Sequence, residues 1–216
     1  MNASPARKLI LASTSPRRKQ LLRQVGLVFD VVPPRPEAEC GLCSGESPPE
    51  MVLRLARAKA HDVLQQLRPA PPDGPLAVLA CDTVAVCCGQ VLGKPRDRDD
   101  ARRMLQLLSG RKHYVYSGVC LALLPEEKEE HLLEKSTLVM DPLSPEQIEE
   151  YLNTGLWEGK AGAFGLQDRP GWLRIVGGSE SNVVGLPVEA VLPLLARWGI
   201  EPAGTHNPAS TGEADL

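Results

Sequence analysis

A carboxylate sits against an otherwise apolar run in Leu76-Ala77-Val78-Leu79-Ala80-Cys81-Asp82-Thr83. A buried carboxylate is costly unless it is paired, hydrogen-bonded or ligating a cation. Strand ends in α/β sheets are also where ligand crevices open. Asp82 is therefore the first candidate for chemistry, the alternative being a turn aspartate bonded to its own backbone. The second candidate is Ser13-Thr14-Ser15-Pro16-Arg17-Arg18. Hydroxyls followed by proline open a helix, whose free N–H groups and dipole favour an anion. Two arginines in that first turn are disfavoured unless an anion offsets them, and guanidinium donors match phosphate oxygens. A capped helix with two solvated arginines is the plainer alternative.

Two glycine-rich segments follow. Gly89-Gln90-Val91-Leu92-Gly93-Lys94-Pro95 is not a Walker A loop, since its glycines are too close and Pro95 stands where a magnesium-binding hydroxyl belongs. Lys94 can still place a point charge near phosphates, or simply close a turn. In Gly159-Lys160-Ala161-Gly162-Ala163-Phe164-Gly165-Leu166-Gln167 the glycines recur at every third position and let backbone approach a flat ligand. Lys160 and Gln167 are its polar readers, and a flexible loop is the alternative. Ser179 to Gly185 reads as a polar turn into a strand.

Other chemistries find no support. His61, His113, His131 and His206 have no partner at ligand or triad spacing, and neither a G-x-S-x-G elbow nor an H-E-x-x-H helix is present. Cys40-Gly41-Leu42-Cys43 lies in a Pro/Gly/Glu-rich loop without the second ligand pair a zinc site needs. Cys81, Cys87, Cys88 and Cys120 read as ordinary reduced thiols. A formal net charge of −3 argues against a nucleic-acid polymer as partner. The longest apolar stretch, Val115 to Leu124, is half a membrane span, and Met1 to Lys8 has no signal-peptide core. A cytoplasmic protein is expected.

The elements that must hold these groups follow from period and punctuation. Strands are expected at Lys8–Ala12, Val28–Val32 and Leu76–Ala80, with a hairpin over Val84–Leu92 turning at Cys88-Gly89. Further strands fall at 113–124, 131–140 and Trp172–Val176. Helices start at Pro16, at Pro48 (running to Leu67), after the Asp97 cap, and at the Ser144-Pro145-Glu146-Gln147 capping box. A last helix covers Pro187–Trp198, and residues 33–48 form a polar loop. The alternation implies one α/β domain over 1–200 with a mixed sheet, then a frayed tail over 201–216.

In order and spacing these segments resemble the Maf family of nucleoside triphosphate pyrophosphatases. The matching stretches are Leu11-Ala12-Ser13-Thr14-Ser15-Pro16-Arg17-Arg18, Arg54-Leu55-Ala56-Arg57-Ala58-Lys59-Ala60, Asp82-Thr83-Val84 and Leu92-Gly93-Lys94-Pro95. They continue through Leu108-Ser109-Gly110-Arg111, His113, Ser117-Gly118-Val119, the segment from Lys160 to Gln167, and Asn182-Val183-Val184-Gly185-Leu186-Pro187. The resemblance implies a mixed central β-sheet flanked by helices, with two lobes and a cleft between them, often as a homodimer. It implies hydrolysis between the α and β phosphates of a nucleoside triphosphate with Mg²⁺ or Mn²⁺. Carried onto this chain, Asp82 is the catalytic residue, as proton acceptor, metal ligand or both. Ser13, Arg17, Arg18, Lys59 and Lys94 fall at phosphate-binding positions.

Arg17, Thr83 and Gln167 occupy the family's specificity positions, and this combination resembles the branch acting on dTTP and UTP, sometimes CTP or modified pyrimidines. A 7-methyl-GTP or broad non-standard nucleotide pyrophosphatase is the alternative within the family, and a non-catalytic nucleotide sensor regulating cell division and septum formation the alternative of another class. Two departures stand out. The family's loop glutamate is replaced by Ala38, leaving Glu37 or Glu39 as the metal-binding candidate. After Gln167 comes Asp168-Arg169-Pro170 instead of glycine, which narrows or recharges the base pocket.

Overall fold

The computed structural model describes residues 7–39, 45–69, 72–166, 168 and 171–203. The C-x-x-C pair, Gln167 and the tail from residue 204 onward lie outside them. The elements run β1 (Lys8–Ala12), α1 (Pro16–Gln24), β2 (Asp30–Val31), α2 (Pro48–Leu67), β3 (Leu76–Cys87), β4 (Gln90–Leu92) and α3 (Arg98–Leu108). They continue as β5 (Lys112–Leu124), β6 (Lys128–Met140), α4 (Pro145–Asn153), β7 (Leu173–Gly177), α5 (Glu180–Val184) and α6 (Val188–Ala196). Short 3-10 turns cover Pro36–Glu39 and Ala161–Ala163.

The sheet is mixed, as expected, in the order β2-β1-β3-β5-β6-β7, with β4 hairpinned onto β3. β1 pairs parallel with β2 and β3, while β3, β5 and β6 pair antiparallel. Side chains alternate across β3. Ala77, Leu79 and Cys81 face a core closed by Leu22 of α1 and Val191 of α6. Leu76, Val78 and Ala80 face Ala56, Ala60 and Val63 of α2. Beyond Asp82 the same strand enters a second core with α3, α4 and Phe164. The two lobes thus share β3, β5 and β6, and the cleft opens where those strands pass from one to the other. Among the described residues no helix is long and apolar enough to cross a membrane.

Several caps read from sequence are in place. Ser144 and Gln147 form the box that starts α4, and Asp97 accepts from the Asp100 N–H at 2.8 Å, while a further box of Ser47 and Glu50, not among those expected, starts α2. Cys88 and Gly89 both take positive φ, as the two-residue hairpin requires.

The differences have physical reasons. β2 shrinks to two residues at the sheet edge, with Val28 79% exposed instead of paired. β3 does not stop at Ala80, because Asp82 and Thr83 remain in ladder register with Gly118 and Ser117 of β5. That register removes the turn-aspartate alternative. β6 starts at Lys128, three residues earlier than expected, because its ladder to β5 begins with the Leu123–Lys128 pair. Ser179 to Gly185 is a helix rather than a turn into a strand, since the Ser179 hydroxyl caps it by accepting from the Asn182 N–H. The last helix is shorter at both ends than expected. The chain stays docked through Ala203, whose N–H donates to Gly26 O at 2.8 Å.

Candidate active site

Pro16 begins α1 directly after β1, so the helix opens at the C-terminal end of a parallel strand. The Ser15 side chain accepts from the Arg18 N–H, and Ser13 Oγ accepts from the Ser15 N–H at 3.1 Å. Ser13 is 3% exposed. Arg18 spans three elements: Nε donates to Gly185 O at 2.8 Å, Nη1 to Ser13 Oγ at 3.4 Å and Nη2 to Thr83 Oγ1 at 3.2 Å. Its guanidinium is thus a strut between β1, β3 and the end of α5 as well as a cleft cation. Arg17 reaches across the cleft to Gly159 O at 3.0 Å. Burial and the neighbouring Arg18 lower its pKa, with Asp168 opposing.

Asp82 and Thr83 are adjacent and point to opposite faces of β3. Thr83 Oγ1 lies 2.8 Å from Ser117 Oγ and donates to Gly185 O at 3.2 Å. Asp82 Oδ1 accepts from Lys59 Nζ at 2.6 Å. Lys59 stands in the apolar stripe of α2, with its side chain 6% exposed, and a second carboxylate, Glu39 Oε1, lies 3.1 Å from the same ammonium. Burial would push the Glu39 carboxyl up, but Lys59, Lys94 and Arg18 together hold it below the usual carboxylate range. Of the two glutamates left open by the sequence, Glu39 is the one in the cleft. Ala38 is buried, which anchors the 3-10 turn and leaves Glu37 exposed.

These groups line one cavity of about 540 Å³. Ser13, Arg17, Arg18, Lys59, Asp82, Thr83 and Lys94 all reach it, with Glu39, Lys160 and Asp168 added. Its charged lining is therefore five cations against three carboxylates, a balance suited to a polyanion. Its far end is apolar, built from Leu108, Val115, Leu138, Met140 and Phe164. The opposite end carries the opening of α1 with Ser13, Arg17 and Arg18. Gln167, the third of the expected specificity positions, lies outside the described residues.

Asp168, from sequence only a departure from the family pattern, has a defined set of partners. The carboxylate accepts from Lys160 Nζ at 2.5 Å, from the Tyr151 hydroxyl at 2.5 Å and from the Gly165 N–H at 2.8 Å. It closes the 159–168 segment into a ring and neutralises Lys160. Asp168→Asn is expected to raise KM for the nucleotide about tenfold, or about 1.4 kcal/mol of binding, with kcat nearly unchanged. Steady-state kinetics check this, and a fall confined to kcat overturns it.

His113 has no partner at ligand or triad spacing in the chain. It is 3% exposed and lines the cavity, and its Nδ1 lies 3.3 Å from Arg111 O. Burial holds its pKa below the ordinary imidazole value, with the Arg111 carbonyl opposing. A depressed pKa stabilises the fold fully above the ordinary imidazole range, and this contribution is lost as pH falls through the folded value. Melting curves of His113→Gln are therefore expected to fall less steeply than wild type on the acid side. Parallel curves overturn the assignment.

Comparison with known proteins gives the chain a family. A family model described as Maf-like protein matches residues 8–198. A dTTP/UTP pyrophosphatase of Rhodopirellula baltica is 52% identical over 191 residues, covering 88% of this chain and 82% of that protein. Proteins of the same name from Carboxydothermus hydrogenoformans and Symbiobacterium thermophilum are 38% and 44% identical, covering 89% of this chain and 99% and 94% of theirs. A solved nucleoside-triphosphatase / dITP/XTP pyrophosphatase from Mycobacterium abscessus is 16% identical, with a TM-score of 0.39 over 88% of this chain and 97% of that chain. That likeness is too distant to carry a structural argument. With the family match spanning both lobes and the cleft between them, the chain belongs to the Maf family.

Proposed function

We propose that this chain hydrolyses dTTP and UTP between the α and β phosphates, releasing the monophosphate and pyrophosphate. The observation that carries the reading is the convergence of Asp82 and Glu39 on Lys59 opposite the opening of α1. The relatives' shared name, dTTP/UTP pyrophosphatase, supports the substrate class. The enzyme works on free nucleotides in the cytoplasm, and a homodimer is the expected form.

The chemistry follows from the residues. Ser13, the α1 N-terminus, Arg18, Lys59 and Lys94 bind and orient the triphosphate, and their charge offsets what builds on the leaving pyrophosphate. Asp82 orients the attacking water and takes its proton. Two carboxylates held around one ammonium form an oxygen donor set of the kind Mg²⁺ or Mn²⁺ takes. Asp82 and Glu39 are therefore the residues that would hold the divalent ion, which when bound supplies further positive charge to the phosphates. The Gly159–Asp168 segment and the apolar end of the cavity hold the base.

The test is a panel of nucleoside triphosphates with Mg²⁺ or Mn²⁺, with products resolved by chromatography. Monophosphate and pyrophosphate from dTTP and UTP are expected. Orthophosphate as product, or turnover only of 7-methyl-GTP, overturns the reading. Tight binding without turnover would instead favour a sensor.

A further inference from the structure

Beside α2, the β5–β6 ladder carries a second group of chemistry-bearing side chains that the cleft does not use. Cys120 and His131 are direct cross-strand partners on β5 and β6, and Glu129 lies two residues before His131 on the same face. Its own partner in the ladder is Ala122, which leaves room above it. One ligand atom each from Cys120, Glu129 and His131 lies within 4.8 Å of the others. His131 Nε2 stands 3.3 Å from Glu129 Oε2. Two ligands bound at about 2.0 Å to a tetrahedral zinc lie about 3.3 Å apart, so this edge of a coordination tetrahedron is already formed. His61 of α2 contacts the other carboxylate oxygen.

We propose that Cys120, Glu129 and His131 form a binding site for a borderline-soft divalent cation of the zinc class, with His61 orienting the carboxylate. The donor set separates this site from the cleft. Thiolate and imidazole select zinc or cobalt, whereas the carboxylates around Lys59 suit magnesium or manganese. The location separates it too. His61 is two residues from Lys59, which on a helix turns it about 200° away from the cleft. A ligating carboxylate held by a further hydrogen bond is the usual support for such a site, and the fourth position faces water, since His131 is 38% and Glu129 24% exposed at the side chain.

Two groups oppose binding and define its signature. Arg57 Nε lies 2.8 Å from the same Glu129 Oε2 and must swing away, which its 58% exposed side chain allows. Burial pushes the Cys120 thiol up to about 12, with Glu129 adding and Arg57 opposing. A thiol ligates as thiolate, so binding forms a metal–sulfur bond, releases the thiol proton to solvent and strengthens as pH rises. The charged and titratable groups facing the thiol are Glu129 and His131 from β6, and Arg57 and His61 from α2. A bound ion would clamp β5 to β6, with α2 reached only through the His61–Glu129 contact.

The probe is Co²⁺ added to the full chain in saturating Mg²⁺, read by absorption. Wild type is expected to bind one equivalent with a thiolate-to-cobalt charge-transfer band and the intense visible bands of a tetrahedral site. Cys120→Ser and His131→Asn are expected to lose these while keeping dTTP turnover in Mg²⁺. A Cys40→Ser/Cys43→Ser variant keeps them, and Arg57→Gln tightens binding about tenfold. His131 is partly exposed, so its variant reads the site even where the buried Cys120 substitution harms folding. No thiolate band in wild type, a band that survives both His131→Asn and Cys120→Ser, or loss of the band in the Cys40/Cys43 variant overturns the proposal.

Discussion

Asp82→Asn is expected to lower kcat for dTTP about a thousandfold while KM moves only a few-fold. The magnitude follows from removing a general base, typically 10²- to 10⁴-fold, with a carboxylate ligand lost at the same step. The KM expectation follows from the geometry, because Ser13, Arg18 and Lys94 reach the cavity independently of Asp82. Asparagine keeps an oxygen that accepts from Lys59 Nζ, and Glu39 still lies 3.1 Å from that ammonium. The variant therefore retains its fold, with a stability cost of about 1 kcal/mol rather than the ~3–5 kcal/mol of a fully broken buried pair. Steady-state kinetics beside a thermal melt separate the two effects. Retained turnover removes Asp82 from the chemistry, whereas a collapsed melt would show that Lys59 depends on its charge for folding.

The same ion pair shows what could be read from the sequence. Asp82 announced itself as a carboxylate in an apolar run, and the Ser13–Arg18 segment as helix-start chemistry with misplaced cations. Lys59 carried a comparable signal, a charge on the stripe of Ala56, Ala60 and Val63, but stood out only through the family resemblance. Whether Glu37 or Glu39 enters the cleft was not legible, since burial of Ala38 in one turn decides it. The second role of Arg18 was hidden as well, because its acceptor Gly185 O lies 167 residues away. Cys120 and His131 meet only through the β5–β6 register, which no local spacing encodes. Asp168 is visible as a departure, but its partner Tyr151, 17 residues earlier, is not. What the sequence leaves open is, in each case, a contact set by sheet register or by one turn, while helix caps and buried stripes are local and were legible.

Gly118 tests how the sheet sets the catalytic geometry. It pairs with Asp82 across the β3–β5 ladder, and a Cβ built there would lie 2.4 Å from Val52 C and 2.5 Å from Leu53 N of α2. The contact is with backbone, so no rotamer relieves it, and α2 itself must shift. Val52, Ala56 and Lys59 share one face of that helix at positions i, i+4 and i+7, so lifting Val52 also lifts the ammonium from Asp82. Gly118→Ala is expected to cost about 2–3 kcal/mol, the upper range for overpacking. For a chain of this size that is a melting-temperature drop of about 4–12 °C. It is also expected to reduce kcat/KM at least tenfold, about 1.4 kcal/mol of transition-state stabilisation, with no catalytic side chain altered. Adding Val52→Ala should restore neither quantity, because the clash is with main-chain atoms rather than the valine side chain. Rescue by Val52→Ala would place the conflict in the side chain, and full activity in Gly118→Ala would mean that α2 can move without carrying Lys59. Either result would sever the proposed link between this close approach at Gly118 and the Lys59–Asp82 pair.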